Sequence, residues 1–396
     1  MASKLKKIFL VLVFVLIVLY VVLVNVLHPI LEKGMNKINE HKPYSIRPEV
    51  QKTHDKLTIV DWHSDSLLWA RNLLKRSDYG HVDIPRLREG NVAIQMFTVV
   101  TKSPSGQNYD KNTADSDNIT TLAMAQLWPY ATWSSLIERA LYQASKLHAF
   151  AAKAPEELRV ITSKKQLKEA LVIRQTSIQQ QKKSLVLGLL GIEGLHALEG
   201  KLENIQVLYD AGYRMMELHH FFDNKLGGSL HGISHAGLTD FGRQVVRKLN
   251  EMSAIIDLAH SSPAVVDDVL EISTRPVVVS HTGVYGVCAS VRNISDEQMK
   301  KIAANGGLIA IGYWDGAICD ISPKGIIKSI RYAIDLIGED HVALGSDFDG
   351  TTTNDIDTSE LAVLTQEMLD SGFTETEIRK VMGENSVNFL LNNLPD

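Results

Sequence analysis

The chain has 396 residues, of which 45% are apolar and 22% are charged, and this composition excludes a disordered protein. Its formal net charge is only −5 and its Lys and Arg residues are scattered, so we expect no nucleic-acid-binding surface. With two cysteines and no CxxC pair, a disulfide framework is excluded and any metal site must be built from His and carboxylate ligands.

The N-terminus predicts a membrane span. Three lysines precede an apolar run from Ile8 to Leu27, which is interrupted only by Asn25. About 20 apolar residues can cross a bilayer as one helix, whereas a secretory signal has a shorter apolar core of roughly 7–15 residues. We therefore predict an uncleaved signal anchor in residues 1–28, with the bulk of the chain extracytoplasmic (periplasmic or extracellular). A cleaved secretion signal and a buried core helix are the alternatives.

Residues 29–56 are polar and contain Pro43 and Pro48, so we predict an irregular juxtamembrane linker there. The remaining residues, 57–396, are predicted to form one domain. Short apolar runs rich in Val, Ile and Leu recur through it with little polar alternation, as expected for strands that are buried on both faces. The predicted strands are Thr58–Asp61, Ala93–Val100, Leu185–Ile192, Arg214–Leu218, Ala254–Leu258, Val277–Ser280, Gly307–Tyr313 and Val342–Gly345.

Amphipathic helical patterns follow most of these strands, which predicts an α/β fold. The long connection between residues 101 and 184 should hold several helices and a lid-like loop. Eight strands that alternate with helices predict a (β/α)8 TIM-type barrel, and a doubly wound open sheet is the alternative. The predicted helices are Lys201–Ala211, Gly242–Met252, Ser262–Ile272, Asp296–Ala304, Ile326–Ile337 and Ser359–Ser371.

Residues of metal-binding type stand at the carboxyl ends of most predicted strands, which meet at one mouth of a barrel. Taken singly, each has an ordinary explanation, such as a hydrogen-bonded core histidine or an Asp-Gly turn. Taken together, so many ionisable groups in one barrel mouth are costly to bury unless they are paired or bind metal. The residues are His63, Asp65, Glu193, His219, His220, Asp257, His260, His281, Asp347 and Asp349.

Histidine and carboxylate ligands without thiolate suit Zn²⁺ and leave Mn²⁺, Co²⁺ or Fe²⁺ open. The number of ligands fits two ions. His63 and Asp65 would hold one ion, His260 and His281 the other, and Glu193 would bridge them. Two ions about 3.5–4 Å apart activate a water molecule and polarise a carbonyl group.

At these residues the chain resembles the membrane (renal-type) dipeptidases of the metal-dependent amidohydrolase superfamily, in order and in spacing, from about Thr58 to Leu391. The local sequence at residues 227–232 is more similar to bacterial members. The motifs that carry the resemblance are D-x-H-x-D at Asp61–Asp65, G-x-E-G at Gly191–Gly194, His220, D-L-A-H at Asp257–His260, S-H at Ser280-His281, S-x-R-N at Ser290–Asn293 and G-S-D-F-D-G at Gly345–Gly350.

The resemblance implies a role for each matching residue. His63, Asp65 and Glu193 match the ligands of the first zinc, and Glu193, His260 and His281 match those of the second. His220 matches the residue that contacts the carbonyl oxygen of the scissile amide, Arg292 the residue that binds the terminal carboxylate of the dipeptide, and Asp347 the acid–base aspartate. The resemblance also implies a homodimer and a disulfide between Cys288 and Cys319, which follow neighbouring predicted strands.

The leading hypothesis is therefore a zinc-dependent dipeptidase with two Zn²⁺ per subunit. A buried, bidentate Arg292 would favour substrates that end just after the scissile bond, although a surface salt bridge is the ordinary explanation for a lone arginine. One alternative is a related binuclear metallohydrolase that acts on another amide or on a lactone. Another is a binding or scaffold protein on a decayed barrel, against which the complete ligand set argues.

Overall fold

The computed structural model describes residues 2–22 and 26–396. Eleven strands lie in the described residues. They are β1 (Lys37–Ile38), β2 (Ile59–Asp61), β3 (Val92–Phe97), β4 (Leu158–Val160), β5 (Val186–Ile192), β6 (Tyr213–Glu217), β7 (Ile255–Asp257), β8 (Val278–Thr282), β9 (Leu308–Ile311), β10 (Val342–Leu344) and β11 (Thr353–Asn354).

Helices separate most of these strands. They are α1 (Ala2–Val22), α2 (His28–Met35), α3 (Pro48–His54), α4 (Ile84–Glu89), α5 (Asn118–Ala125), α6 (Leu136–Lys153), α7 (Lys164–Gln179), α8 (Asn204–Asp210), α9 (Asp240–Glu251), α10 (Pro263–Ile272), α11 (Asp296–Ala304), α12 (Asp315–Ile318), α13 (Pro323–Ile337), α14 (Ala362–Asp370), α15 (Glu375–Arg379) and α16 (Asn385–Asn393).

The eight strands that the sequence predicts form a closed parallel barrel. Their order around it is β3-β2-β10-β9-β8-β7-β6-β5, and pairing of β3 with β5 closes the circle. Each of the eight falls within a few residues of its predicted position. The (β/α)8 barrel is therefore confirmed, and the open sheet is excluded because an open sheet has two unpaired edges.

Alternation along the strands divides the apolar side chains between two layers. In β9, Leu308 and Ala310 belong to the cluster inside the barrel, whereas Ile309 and Ile311 belong to the cluster between strands and helices. These two clusters explain why the predicted strands lack polar alternation, since both of their faces are buried.

The helices begin where the sequence supplies caps. Ser262 and Ser322 accept hydrogen bonds from the third residue of α10 and α13, and each is followed by a proline that suits the first helical turn. Ser295 and Gln298 form a capping box at the start of α11. These caps fix where each helix returns from the mouth of the barrel to its outer wall.

The long second connection contains α5, α6, the short strand β4 and α7. The sequence analysis predicts several helices there and misses β4, which pairs with β5 at Val186–Gly188. The three-residue run of β4 is too short to give a periodic signal.

The N-terminal helix α1 agrees with the predicted span. Lys4–Val22 is long and apolar enough to cross a membrane, with a mean hydropathy of 2.8 and none of the segment buried in the protein. By length and composition it suits either a membrane anchor or a signal sequence. The predicted run continues to Leu27, and its residues 23–25, including Asn25, lie outside the described residues.

The segment predicted as an irregular linker contains regular structure. It holds α2, β1 and α3, and β1 pairs in parallel with β11 through Lys37–Thr353 and Ile38–Asn354. The prediction of irregularity rested on polar residues and prolines, but Pro29 and Pro48 lie in the first turns of α2 and α3, where proline is well tolerated.

Candidate active site

The carboxyl ends of the barrel strands bring the predicted site residues together. His63 and Asp65 follow β2, Glu193 follows β5, and His220 and His260 follow β6 and β7. His281 lies in β8, and Asp347 follows β10. Asp65, Glu193, His220, His260, Arg292 and Asp347 all line one cavity of about 680 Å³ at the mouth of the barrel.

Glu193 lies at the centre of the cluster. Its Oε1 is 3.1 Å from His260 Nε2, 3.4 Å from His281 Nε2 and 3.8 Å from His63 Nε2. His63 Nε2 is also 3.6 Å from an oxygen of Asp65. Two predicted ligand sets, His63–Asp65–Glu193 and Glu193–His260–His281, thus converge on one shared carboxylate.

Ser280 orients two of the imidazoles. Its hydroxyl lies 3.1 Å from His63 Nδ1 and 2.9 Å from His281 Nδ1. A hydroxyl oxygen has two lone pairs, so it can accept a hydrogen bond from both rings, and the Nε2 atom of each ring then faces the centre. Among the described residues His63 Nε2 has no hydrogen-bond partner although it is fully buried. That nitrogen lies where the sequence analysis expects a metal ion.

Burial dominates the electrostatics of the carboxyl groups. It raises the pKa of Glu193 well above its usual range, and the neighbouring Asp65 adds to the shift. It likewise raises the pKa of Asp347 to about 7. Burial opposes the charge on His63, but Asp65 and Glu193 outweigh it and raise the pKa of His63 to about 10. Without a cation, burial therefore favours the protonated carboxyl groups, and a divalent cation would favour their ionised form instead.

His220 faces the cluster from β6. Its Nδ1 lies 3.2 Å from the carbonyl oxygen of Lys102, and its Nε2 lies 3.2 Å from Glu193 Oε2. Burial lowers the pKa of His220 to about 4. The hydrogen bond to Lys102 places the proton of the neutral ring on Nδ1, so Nε2 points into the cavity as a lone pair.

Arg292 lies deep in the mouth and is only 1% exposed. Its guanidinium donates to the carbonyl oxygens of Ala259 at 2.9 Å and His281 at 2.8 Å, and stacks 5.3 Å from the ring of Trp314. A surface salt bridge is therefore excluded as its role. The guanidinium has five N–H donors, so it retains donors for a carboxylate in the cavity.

Asp347 stands at the start of a tight loop after β10. It adopts a left-handed backbone conformation with φ +58°, as do Asp349 and Thr351. Its Oδ1 lies 3.9 Å from His63 Nε2. Non-glycine residues in this region are strained and are held there by their surroundings, which is common at functional sites.

The structure adds buried residues that the sequence analysis did not select. Glu217 of β6 is 0% exposed, and one of its carboxyl oxygens lies within 4.8 Å of the nearest ligand atoms of Glu193 and His281. Among the described residues neither of its carboxyl oxygens has a hydrogen-bond partner. The available signal for Glu217 was strand alternation, because it stands two residues before His219 and so shares its side of the strand.

The other histidines near the mouth bond to neighbouring groups. His196 bonds to the Thr101 hydroxyl at 2.9 Å, and His219 to the Ser261 hydroxyl at 3.2 Å. His231 bonds to the carbonyl oxygen of Tyr109 at 2.8 Å. These contacts agree with supporting roles around the cluster.

A disulfide joins Cys288 and Cys319, as the resemblance implied. Cys288 lies in the loop that carries Arg292. Cys319 directly follows α12, the short helix that begins just after Trp314. Asn293 bridges the same two loops, because its amide donates to the carbonyl oxygens of both Cys288 and Ala317 at 2.8 Å. The bond therefore holds Arg292 and Trp314 in one rigid wall.

Comparisons with known proteins agree with this architecture. The sequence is 27% identical over 356 residues to dipeptidase aclJ of Aspergillus oryzae, which covers 85% of this chain and 78% of that protein. A metallopeptidase of Rhodobacter sphaeroides, solved with a phosphinate mimic of the dipeptide L-Ala-D-Ala, has the same fold, with a TM-score of 0.68 and 23% identity over 85% of this chain and 99% of its own. The probable dipeptidase PvdM of Pseudomonas aeruginosa superposes with a TM-score of 0.69 at 16% identity over 87% of this chain and 97% of its own.

The family comparison covers most of the barrel and both halves of the cluster. Residues 47–392 match the membrane dipeptidase family, peptidase family M19. That match extends well past half of the chain and includes every predicted site residue from His63 to Asp347. The chain therefore belongs to the membrane dipeptidase family and is a metallo-dipeptidase.

Proposed function

We propose that this chain is a zinc-dependent dipeptidase that hydrolyses the peptide bond of dipeptides with two metal ions. The observation that carries the proposal is the position of Glu193 Oε1 within 3.8 Å of the Nε2 atoms of His63, His260 and His281. Nitrogen and carboxylate donors without thiolate suit Zn²⁺, and Mn²⁺ or Co²⁺ also fit them.

The donor set divides into two halves that share Glu193. His63, Asp65 and Glu193 would hold one ion, and Glu193, His260 and His281 the other. Bound ions of this kind lower the pKa of a water molecule and polarise the carbonyl group under attack. They would also compensate the charge of the buried carboxylates and so reduce the free-energy cost of burying them in a folded protein.

Three further residues would act on the substrate. Arg292 would bind the terminal carboxylate through its remaining N–H groups, and so restrict the enzyme to substrates that end one residue after the scissile bond. Asp347 would take a proton from the attacking water and pass it to the leaving amine. His220 would contact the carbonyl oxygen of the scissile bond, and it donates from Nε2 only when the ring is doubly protonated.

We also propose that α1 is an uncleaved anchor that holds the barrel at the outer surface of a membrane. The supporting observation is a 19-residue apolar helix with no segment buried against the barrel. A protease-protection assay on intact cells, with N-terminal sequencing of the purified chain, tests this point. An N-terminus that begins after residue 22 would contradict it.

The full-length chain in nanodiscs is the sample for the catalytic test. We expect about two zinc ions per chain by elemental analysis, cleavage of L,L- and L,D-dipeptides, no cleavage of the matching tripeptides, and loss of activity on chelation with recovery on zinc addition. His63→Ala should lose metal and activity together. His235→Ala is the matched control, because His235 is exposed and outside the described lining of the cavity.

Other outcomes would change the assignment. A chain that holds about two zinc ions and cleaves no dipeptide would contradict the proposed substrate and favour another amide or a lactone. A chain that cleaves dipeptides equally well after complete removal of metal would contradict the metal mechanism.

A further inference from the structure

The candidate active-site cavity is larger than a small dipeptide requires. Its volume is about 680 Å³. One molecule of liquid water occupies about 30 Å³. If each of the eleven heavy atoms of alanylalanine took up that volume, the substrate would occupy roughly 330 Å³. About half of the cavity would therefore stay free with such a substrate bound at the cluster.

The extra volume has an apolar lining. Leu31 and Met35 of α2 face it, and both keep nearly half of their surface accessible, 47% and 45%. Apolar side chains from the loop after β2 and from α5 complete this part of the wall: Leu68, Trp69, Ile119, Leu122 and Ala125. We call this set the apolar arm of the cavity. Covering its surface with an apolar group would be favourable at about 25 cal/mol per Å².

The helix α2 that builds this arm lies outside the family match. The match begins at residue 47, whereas α2 ends at Met35 and β1 at Ile38. The wall made by Leu31 and Met35 is thus contributed by a segment that precedes the part of the chain shared with the family.

Buried polar contacts fix α2 to the barrel. Glu32 is 2% exposed and forms an ion pair with Arg71, which also pairs with Asp349 in the loop that begins at Asp347. At one end of α2, His28 Nε2 bonds to the carbonyl oxygen of Ala125 at 2.7 Å.

The other end of α2 is held equally firmly. Asn36 accepts a hydrogen bond from the backbone N–H of Thr351 at 2.8 Å, and β1 then pairs with β11. Because α2 is attached at both ends and through its middle, it is a fixed part of the cavity wall.

The position of Arg292 indicates which end of a bound dipeptide would face the apolar arm. Arg292 donates to Ala259, just beyond β7, whereas Leu68 and Trp69 follow β2. In the barrel β2 and β7 have three strands between them on either side, so they face each other across the mouth. A substrate whose carboxylate lies at Arg292 would extend its amino-terminal residue towards the apolar arm.

We infer that α2 and the residues opposite it form a subsite for a large apolar side chain on the amino-terminal residue of the dipeptide. This inference rests on the proposed dipeptidase function. It makes the enzyme selective for dipeptides whose first residue is long and apolar, with Leu31 and Met35 as specificity-determining residues.

The test compares two substrates on the full-length chain in nanodiscs. One is alanylalanine, and the other is 2-aminodecanoyl-alanine, whose first residue carries an octyl side chain. The readout is the ratio of their two kcat/KM values, because a variant that is partly unfolded or poorly loaded with metal lowers both values alike. For the wild type we expect a ratio of at least about tenfold in favour of the long substrate, since each buried methylene favours binding.

Leu31→Gln and Met35→Gln should each reduce this ratio by at least about fivefold, because a polar amide would meet the octyl chain. Leu31→Ala and Met35→Ala provide milder versions of the same comparison. Ile30→Gln is the matched control, because Ile30 lies in the same helix, is 61% exposed and is absent from the described cavity lining. Its ratio should equal that of the wild type.

The failures are distinguishable. If neither substrate is cleaved, the proposed function falls and this inference falls with it. If alanylalanine is cleaved but the wild-type ratio is near one, or if the glutamine variants keep the wild-type ratio, the subsite is refuted and the dipeptidase function stands.

Discussion

Replacing Arg292 by Met separates carboxylate binding from the support that this residue gives to the cluster. In the substrate complex, two charge-assisted hydrogen bonds to a carboxylate would be lost, at about 1.5–3 kcal/mol each. A loss of roughly 3–6 kcal/mol corresponds to a fall in kcat/KM of about 10²–10⁴-fold for a dipeptide acid. Arg292→Lys keeps the charge but not the fork, so its loss should be smaller.

The same substitution also removes structural hydrogen bonds. Arg292 donates to the carbonyl oxygens of Ala259 and His281, which would be left without those partners. Each buried acceptor left unsatisfied costs about 1–3 kcal/mol of stability. Both acceptors belong to the backbone next to predicted metal ligands, so displacement of His260 or His281 would slow every substrate.

The assay therefore uses a matched pair, alanylalanine and alanyl-alaninamide, which differ only in the terminal carboxylate. The wild type should prefer the acid strongly, and Arg292→Met should abolish the preference. Arg243→Met is the control, since Arg243 forms a surface ion pair with Asp268 away from the mouth. If Arg292→Met slows the acid and the amide by the same factor, Arg292 only supports the cluster and the proposed length selection is wrong.

Three further predictions concern stability. Cys288→Ala should lower the free energy of unfolding by roughly 3–4 kcal/mol, because the bond to Cys319 closes a loop with a sequence separation of 31, and urea titration of the variant against the disulfide-bonded wild type checks this. Burial lowers the pKa of His54 to about 4. The stabilisation of the fold by the neutral His54 ring is therefore complete above about pH 6.5 and is lost as the pH falls towards 4. The wild type should lose about 3 kcal/mol more than His54→Gln between pH 7 and pH 4, and parallel losses would contradict the assignment. Gly345→Ala should destabilise by at least about 3 kcal/mol, because its Cβ would lie 1.9 Å from the carbonyl oxygen of Ser280 in β8. Gly34→Ala, whose Cβ meets no described atom within 4 Å, should be neutral or stabilising, and thermal melts of the two variants compare them directly.

The barrel could be predicted because its signal is local. Strands buried on both faces give continuous apolar runs, and helix caps such as Ser262 and Ser295 mark where the intervening helices begin. The order of ligand-type residues at the strand ends then places the cluster, since parallel strands in a barrel share one mouth. The Cys288–Cys319 bond was predicted from the family resemblance, and the structure contains it.

The features of the fold and of the site that the sequence analysis missed depend on contacts between distant segments. The pairing of β1 with β11 joins residues more than 300 positions apart through two residues each, which leaves no periodic pattern to detect. Glu32 and Arg71 look like ordinary surface charges in the sequence, and only the docking of α2 buries them together. Glu217 was missed because a single carboxylate, in a strand that also contains Arg214, does not form a spacing motif.

The short distance along the chain between α1 and α2 has a consequence for how substrates reach the enzyme. Five residues separate Val22 from His28, and a chain of that length spans at most about 20 Å. With α1 in a bilayer, the start of α2, which lines the mouth of the barrel, would stay within about that distance of the lipid headgroups. The membrane itself would then act as a steric screen, since a folded protein larger than that gap could not enter it, whereas a small molecule that diffuses along the leaflet would arrive directly beside the opening.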